Sequence, residues 1–187
     1  SLVCMRNKHR IKLINGSKKI DYVYNWLNYT SKDKTTWGLY KNNIKYKWKK
    51  LKINPYILGV WLGDGHSTKS TITNIDKTII QEWIKESKKR NMFVRQEQNI
   101  TYVITNGRNG GHKINSFMED LKSYNLVKNK HIPTQYKKSS IKQRLELLAV
   151  LLDTDGHLNK NGRTYSITQK NKKLAYDILE ICQSVGL

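Results

Sequence analysis

The sequence predicts an α+β protein built on an internal repeat, each copy of the form αββαββα and the second copy incomplete. Three observations predict it. The stretch Leu-Gly-Val-Trp-Leu-Gly-Asp-Gly at 58–65 returns at 149–156 as Ala-Val-Leu-Leu-Asp-Thr-Asp-Gly, each followed by a histidine, His66 and His157. The two aspartates, Asp64 and Asp155, stand 91 residues apart, and beyond them Ile72-Thr73 matches Ile167-Thr168 and Lys77 matches Lys172 across a loop four residues longer in the second copy. Each motif is followed by a hairpin signal and then by apolar residues at helical spacing.

Residues 1–53 match neither copy and are expected to form a separate, partly β segment. Within it Tyr40 to Leu51 interleaves lysine with aromatics and is expected to be a basic strand, with packing on DNA phosphates as the alternative. The first copy, 54–139, opens on Asn54 as N-cap and Pro55 at the first helical position, giving a helix over Tyr56–Gly63. Asp64-Gly65 ends it, the glycine being free to adopt the left-handed conformation that stops a helix. After a short hairpin, Ile79, Ile80, Trp83 and Ile84 share one helical face, with Asp76 as cap. Strands near Met92–Glu97 and Thr101–Thr105 come next, then a helix with Ile114, Phe117, Met118 and Leu121 on one face. A basic connector, Lys128–Lys138, leads to the second copy, 140–187. Its motif helix starts near Ser140 and carries Leu145, Leu148, Leu151 and Leu152; a hairpin turns at Asn161-Gly162; and Leu174, Ile178, Ile181, Cys182 and Val185 line a last helix. Leu187 aligns with Met92, so the chain is expected to be truncated inside its own repeat and to be a piece of a longer polypeptide.

Thirty-five Lys and Arg against 14 Asp and Glu give a net charge of +21, which calls for a polyanionic partner. The 10% aromatic content and the periodic apolar positions separate the chain from a disordered basic tail. No apolar run approaches a membrane span and no segment reads as a signal peptide, so no membrane partner is expected. Cys4 and Cys182 make neither a metal spacing nor a disulfide framework, which points to a reducing, intracellular setting.

The stretch Leu148-Ala149-Val150-Leu151-Leu152-Asp153-Thr154-Asp155-Gly156 resembles the LAGLIDADG signature of homing endonucleases at most positions. Pro55 to Gly65 resembles its form in intein-borne members of the dodecapeptide (DOD) type, and Lys130-His131-Ile132-Pro133 resembles the block between their motifs. The resemblance covers about residues 40–187. It implies the LAGLIDADG homing-endonuclease fold, with motif helices packed at the repeat interface and antiparallel sheets facing DNA. It implies a site-specific endonuclease for double-stranded DNA, a monomer with an internal pseudo-two-fold. The alternatives are a cleavage-inactive DNA-binding remnant and an RNA maturase on the same scaffold, the intein-like blocks speaking against the maturase.

On that scaffold the two motif helices meet through small residues, Gly59, Gly63 and Ala149, and Val150, standing where the signature has glycine, suggests a wider contact there. Asp64 and Asp155 then meet at the helix ends as catalytic residues and metal ligands. Two close carboxylates repel unless a cation lies between them, and such oxygen ligands suit Mg²⁺. The resemblance gives Lys130 an active-site role, while His66 and His157 either tidy the helix ends or reach the scissile phosphates. If Ile72 and Ile167 face the covering helices, Thr71, Thr73, Ser166 and Thr168 face DNA, with Arg95, Gln96 and Arg163 as further contacts. Residues 1–16 faintly resemble the histidine-bearing block of intein splicing domains, but Met5 and Arg6 stand where a threonine is usual, and self-splicing by this chain alone is not expected.

Overall fold

The computed structural model describes residues 10–15, 17–39, 43–107, 114–160 and 165–187. The splicing-block reading on 1–9, the Asn161-Gly162 turn and Arg163 lie outside the described residues. The chain divides into two units, Ser1–Asn42 and Asn43–Leu187.

In the first unit, β1 (Arg10–Asn15), β2 (Ser17–Tyr22) and β3 (Gly38–Leu39) form an antiparallel sheet in the order β2-β1-β3. Two short helices, α1 (Val23–Leu27) and α2 (Ser31–Thr36), lie between β2 and β3 in sequence. Thr30 starts α2 with a capping box: its hydroxyl accepts from the Asp33 N–H at 3.1 Å and the Asp33 carboxylate accepts back from the Thr30 N–H at 3.3 Å.

The second unit begins earlier than the repeat does. Residues 43–50 form no strand, contrary to the sequence expectation, and 43–53 belong to the same unit as the repeats. Side chains of the repeats hold this segment: Gln143 bonds the Lys49 backbone, Arg144 the Ile44 carbonyl, Tyr136 the Ile53 carbonyl, and Arg90 and Tyr124 the Lys52 backbone.

The first motif helix is α3 (Pro55–Asp64), capped as expected by Asn54, whose side chain accepts from the Tyr56 N–H at 2.8 Å. It is apolar on nearly every side and is buried accordingly, with Leu58, Val60 and Trp61 fully enclosed. Then come β4 (Thr71–Thr73), α4 (Lys77–Lys89), β5 (Phe93–Gln98), β6 (Thr101–Thr105), α5 (Ser116–Ser123) and the short α6 (Thr134–Lys137). The second motif helix, α7 (Ile141–Asp155), starts on a capping box of Ser140 and Gln143. The hairpin β7 (Gly156–Leu158) and β8 (Tyr165–Ile167) and the final helix α8 (Lys172–Ser184) complete the unit.

The sheet of the first copy runs in the order β4-β6-β5. One face packs on the core through Ile72 and Ile104. Trp83 of α4 and Phe117 of α5 meet edge to face at 5.1 Å in that core, and Arg90 ties the two helices through Glu86 and Asp120, both at 2.7 Å. Two expectations fail here. Ile114 is exposed and precedes α5, which Asn115 caps. The hairpin after the first motif is reduced to a single bridge, Gly65 to Ile72, because the chain turns back through a tight loop in which the His66 N–H already bonds the Thr71 carbonyl.

Helices α3 and α7 make the most extensive contact between elements, and they meet at equivalent positions of the repeat. A Cβ on Gly59 would stand 2.1 Å from Val150 Cγ1, and one on Gly63 would stand 2.2 Å from Thr154 Oγ1. The contact is therefore close, not widened by Val150: the glycine has moved to the other helix, and Val150 fills the space over Gly59. Ala149, expected at this contact, is exposed. Nor are Gly65 and Gly156 left-handed; both are extended, with φ of −79° and −86°. Glycine is needed there for space, since a Cβ would lie 2.2 Å from the Trp61 carbonyl oxygen at Gly65 and 2.2 Å from the Leu152 carbonyl oxygen at Gly156.

Candidate active site

The side-by-side packing of α3 and α7 brings their C-terminal ends together, so the last residue of each, Asp64 and Asp155, faces the same place. Each carboxylate is held by a carboxamide from the segment just after the strand that follows its motif. Asn74 Nδ2 donates to Asp64 Oδ2 at 2.5 Å, and Gln169 Nε2 donates to Asp155 Oδ2. These amides occupy matched places in the repeat, Ile72-Thr73-Asn74 and Ile167-Thr168-Gln169. Each directly follows a threonine expected to face DNA, Thr73 or Thr168. The signal was a carboxamide recurring at the same repeat position.

Lys130 reaches the same site from the connector. Its ammonium donates to the carbonyls of Leu62 at 2.9 Å, Gly65 at 2.6 Å and, more weakly, Gly63 at 3.4 Å, all at the end of α3. A cation suits this negative end of the helix dipole. The ammonium also lies 5.3 Å from the centre of the buried Trp61 ring. Its backbone is fixed from the second copy: Asn171, the cap of α8, donates to the Lys130 carbonyl at 2.7 Å, and Asp177 of α8 accepts from the Ile132 N–H at 2.8 Å.

The three charges feel each other. Burial raises the Asp64 carboxyl above the ordinary carboxylate range; the Asn74 hydrogen bond opposes that, Asp155 adds to it, and Lys130 opposes it. Burial likewise raises Asp155, against the pull of Gln169 and Lys130. Burial lowers Lys130, and Asp155 and Asp64 draw it back up. Two half-buried carboxylates with raised proton affinity form a place where a cation is favoured. The donor set fits a hard cation such as Mg²⁺, because the carboxylates are oxygen ligands and each has one oxygen anchored by an amide. No group of three or more His, Cys, Asp or Glu side chains able to hold a metal occurs among the described residues, so water or substrate oxygens would complete the coordination.

The residues expected to read DNA separate by strand register. Thr71, Val103 and Arg95 share one row of the sheet, while Ile72, Tyr102 and Gln96 share the adjacent row on the opposite face. Thr73 and Arg95 are exposed on the open face. Gln96 belongs to the helix-covered face and donates to the Asn99 carbonyl at 2.6 Å, so it does not extend the open face. Thr71 lies on the open side but is buried, which removes it from the surface, and its hydroxyl has no hydrogen-bond partner among the described residues. Phe93, 63% exposed, lies on the same face as Arg95 and went unnoticed in the sequence. In the second copy Ser166 is exposed beside His157, and Thr168 is exposed just beyond β8. His66 turns to its own loop, its Nδ1 lying 3.0 Å from the Thr68 hydroxyl.

Residues 142–187, which comprise most of α7, β7, β8 and α8, match the family model of the LAGLIDADG-like domain. Over 135 residues the chain is 36% identical to the replicative DNA helicase DnaB of Mycobacterium intracellulare. That match takes in 72% of this chain and 19% of the relative, so the chain spans about a fifth of the curated protein it is similar to. No helix among the described residues is long and apolar enough to cross a membrane.

Proposed function

We infer, from the match of residues 142–187 to the LAGLIDADG-like domain model and the geometry of the aspartate pair, a site-specific endonuclease that hydrolyses phosphodiester bonds of double-stranded DNA with a divalent cation, Mg²⁺ fitting best. The observation that carries this reading is the pairing of Asp64 and Asp155 at the ends of two packed, repeat-related helices, with Lys130 beside them. The similarity to a 19% stretch of a DNA helicase supports a segment carried inside a larger host polypeptide, as intein-borne endonucleases are.

In this reading Asp64 and Asp155 would hold the cation. When bound, a divalent cation can stabilise the attacking and leaving oxygens of an in-line displacement at phosphorus. Asn74 and Gln169 fix one oxygen of each carboxylate and so aim the other. Lys130 spends its donors on three carbonyls of the α3 terminus, so it acts as a fixed positive charge toward the scissile phosphate and as the tether that keeps Asp64 in place. Thr73, Arg95, Ser166 and Thr168, all exposed, are the duplex contacts in this reading.

The test is a nicking assay beside a gel-shift assay. Asp64→Asn and Asp155→Asn each abolish cleavage and leave duplex affinity within about twofold, because binding rests on the cationic surface and not on one carboxylate. Asp153→Asn, an exposed position on the same helix, leaves both unchanged. Activity requires Mg²⁺ and stops with a chelator. If all three variants cut like the parent, the site does not do this chemistry. If the parent binds duplex without ever cutting it, the chain is a binding remnant of such an enzyme.

A further inference from the structure

A second charged feature lies at the other ends of α3 and α7. The chain from Asn43 to Lys52 runs there without regular structure, yet its backbone is anchored on both sides of Trp48 and again at Lys52, whose N–H donates to the Tyr124 hydroxyl and whose carbonyl accepts from Arg90. Near its start, the Ile44 N–H donates to the Ser184 carbonyl at 2.8 Å. The Arg144 guanidinium, fully buried, donates to the Ile44 and Ser184 carbonyls and lies 5.1 Å from the Tyr46 ring. Near its end, the buried Gln143 carboxamide holds Lys49 by both backbone groups. Its Oε1 accepts from the Lys49 N–H at 3.1 Å and its Nε2 donates to the Lys49 carbonyl at 2.7 Å.

Between these anchors Trp48 is 69% exposed. An indole in water on a fixed backbone forgoes the burial that a side chain of its size ordinarily finds. It lines a groove of 730 Å³ together with Lys49, Lys50, Lys52, Lys89, Arg90 and Lys142, against two carboxylates, Glu86 and Glu146. Arg90 is committed to Glu86 and Asp120, and Lys52 to the Ser123 hydroxyl. Lys49, Lys50, Lys89 and Lys142 make no ion pair among the described residues. The groove thus offers four uncommitted cations around one exposed aromatic face.

We propose that this groove binds single-stranded nucleic acid, with the lysines along the sugar–phosphate backbone and Trp48 stacked on a base. Stacking on an exposed aromatic beside a cationic track is the chemistry by which single strands are held without sequence preference. A duplex would satisfy the lysines but offers no free base face to the indole, and an acidic peptide would likewise leave the indole unused. The groove is separate from the aspartates. Pro55, at its rim, is the first residue of α3 and Asp64 the last, which at the helical rise puts them roughly 14 Å apart. The inference is therefore independent of the cleavage reading and stands or falls on its own measurements.

The experiment measures anisotropy of labelled oligo-dT and oligo-U on the full chain, with and without excess unlabelled duplex. Single strands bind, and duplex does not displace them fully. Trp48→Ala weakens single-strand binding roughly tenfold, within the range of one lost stacking contact, while Trp48→Phe retains most of it. The combined change Lys49→Glu, Lys50→Glu and Lys142→Glu removes most of the rest. Duplex affinity of Trp48→Ala stays at the parent value. Tighter binding of oligo-U or of oligo-dT identifies the occupant as RNA or DNA. Unchanged single-strand binding by Trp48→Ala overturns the proposal. So does full displacement by duplex, or displacement by polyglutamate as effective as by unlabelled oligonucleotide.

Discussion

At the scale of single residues, the two aspartates carry a cost that the proposed cation site would explain. Burial raises both carboxyls above the ordinary range, so the folded state binds protons more tightly than the unfolded chain. The linked stability is then fully present at low pH and is lost as pH rises through the raised values. At neutral pH, without a divalent cation, each ionised carboxylate opposes folding. Asp64→Asn should accordingly raise the melting temperature of the metal-free protein at pH 7, and the gain should vanish at pH 3, where the parent carboxyl is protonated too. Each kcal/mol corresponds to roughly 2–4 °C for a chain of this size. Added Mg²⁺ should stabilise the parent and leave Asp64→Asn much less changed. Thermal unfolding with and without Mg²⁺ checks both, and an Asn variant that melts lower than the parent at pH 7 without metal contradicts the reading of the site as two carboxylates awaiting a cation. A second test at this scale concerns the amides. Asn74→Ala and Gln169→Ala remove the interaction that lowers each carboxyl, so the acid limb of the pH–rate profile should move to higher pH in either variant, with Asn74→Gln restoring part of it. The convergence of Asp64, Asp155 and Lys130 was legible because all three sit in motifs. Asn74 and Gln169 were not, because an amide after a strand has no signature beyond its recurrence; the burial of Thr71 and the side of the sheet on which Gln96 lies were not either, because both depend on register and cover, which one sequence does not contain.

At the scale of elements, the helices were readable from their ends. Asn54, Asp76, Ser140 and Asn171 each accept a backbone hydrogen bond at the start of their helix, so the caps mark α3, α4, α7 and α8 directly. The hairpins were less readable because loop length decides them. Four extra residues in the second copy leave room for β7 and β8, whereas the first copy must turn at once and keeps one bridge. The close approach of α3 and α7 was half-legible: Gly59 and Gly63 announced it, but their partners emerged only in three dimensions. Each glycine faces the larger residue at its own repeat position, Val150 or Thr154. This asymmetry is testable. Gly59→Ala drives a Cβ into Val150 Cγ1 and toward the Leu147 carbonyl at 3.0 Å, and should destabilise the protein by about 1–3 kcal/mol. Val150→Ala removes the methyl groups that clash and should recover much of the loss in the double variant, although alone it should be destabilising through the space it leaves. A double-mutant cycle by denaturant unfolding gives the coupling. Additive losses would mean that the two helices do not meet at these positions.

At the scale of the whole molecule, the charge told what kind of partner to expect but not where it binds. A net charge of +21 on 187 residues requires a polyanion, yet the cations are spread over the open sheet face, the connector and the segment ahead of the repeats. Only the packing of 43–53 onto α7 and α8 separates a distal cationic groove from the surface beside the aspartates. Nonspecific duplex binding should consequently be dominated by counterion release. Each neutralised phosphate contributes a slope of about −0.9 to the dependence of log affinity on log salt, so a footprint of six or more contacts costs roughly a thousandfold between 50 and 200 mM salt. Neutralising lysines of the distal groove, as in Lys49→Gln with Lys142→Gln, should leave that duplex slope nearly unchanged, because those ammonium groups lie at the far ends of the motif helices. Arg95→Gln on the open sheet face should reduce it by about one contact at most, part of that charge being already engaged by Glu97 at 2.8 Å. Filter-binding or anisotropy titrations across the salt range supply the slopes. A flat response would remove the electrostatic basis for DNA binding altogether, and a slope that falls with the distal lysines but not with Arg95 would place the duplex on the opposite end of the protein from Asp64 and Asp155, too far from them to be cut there.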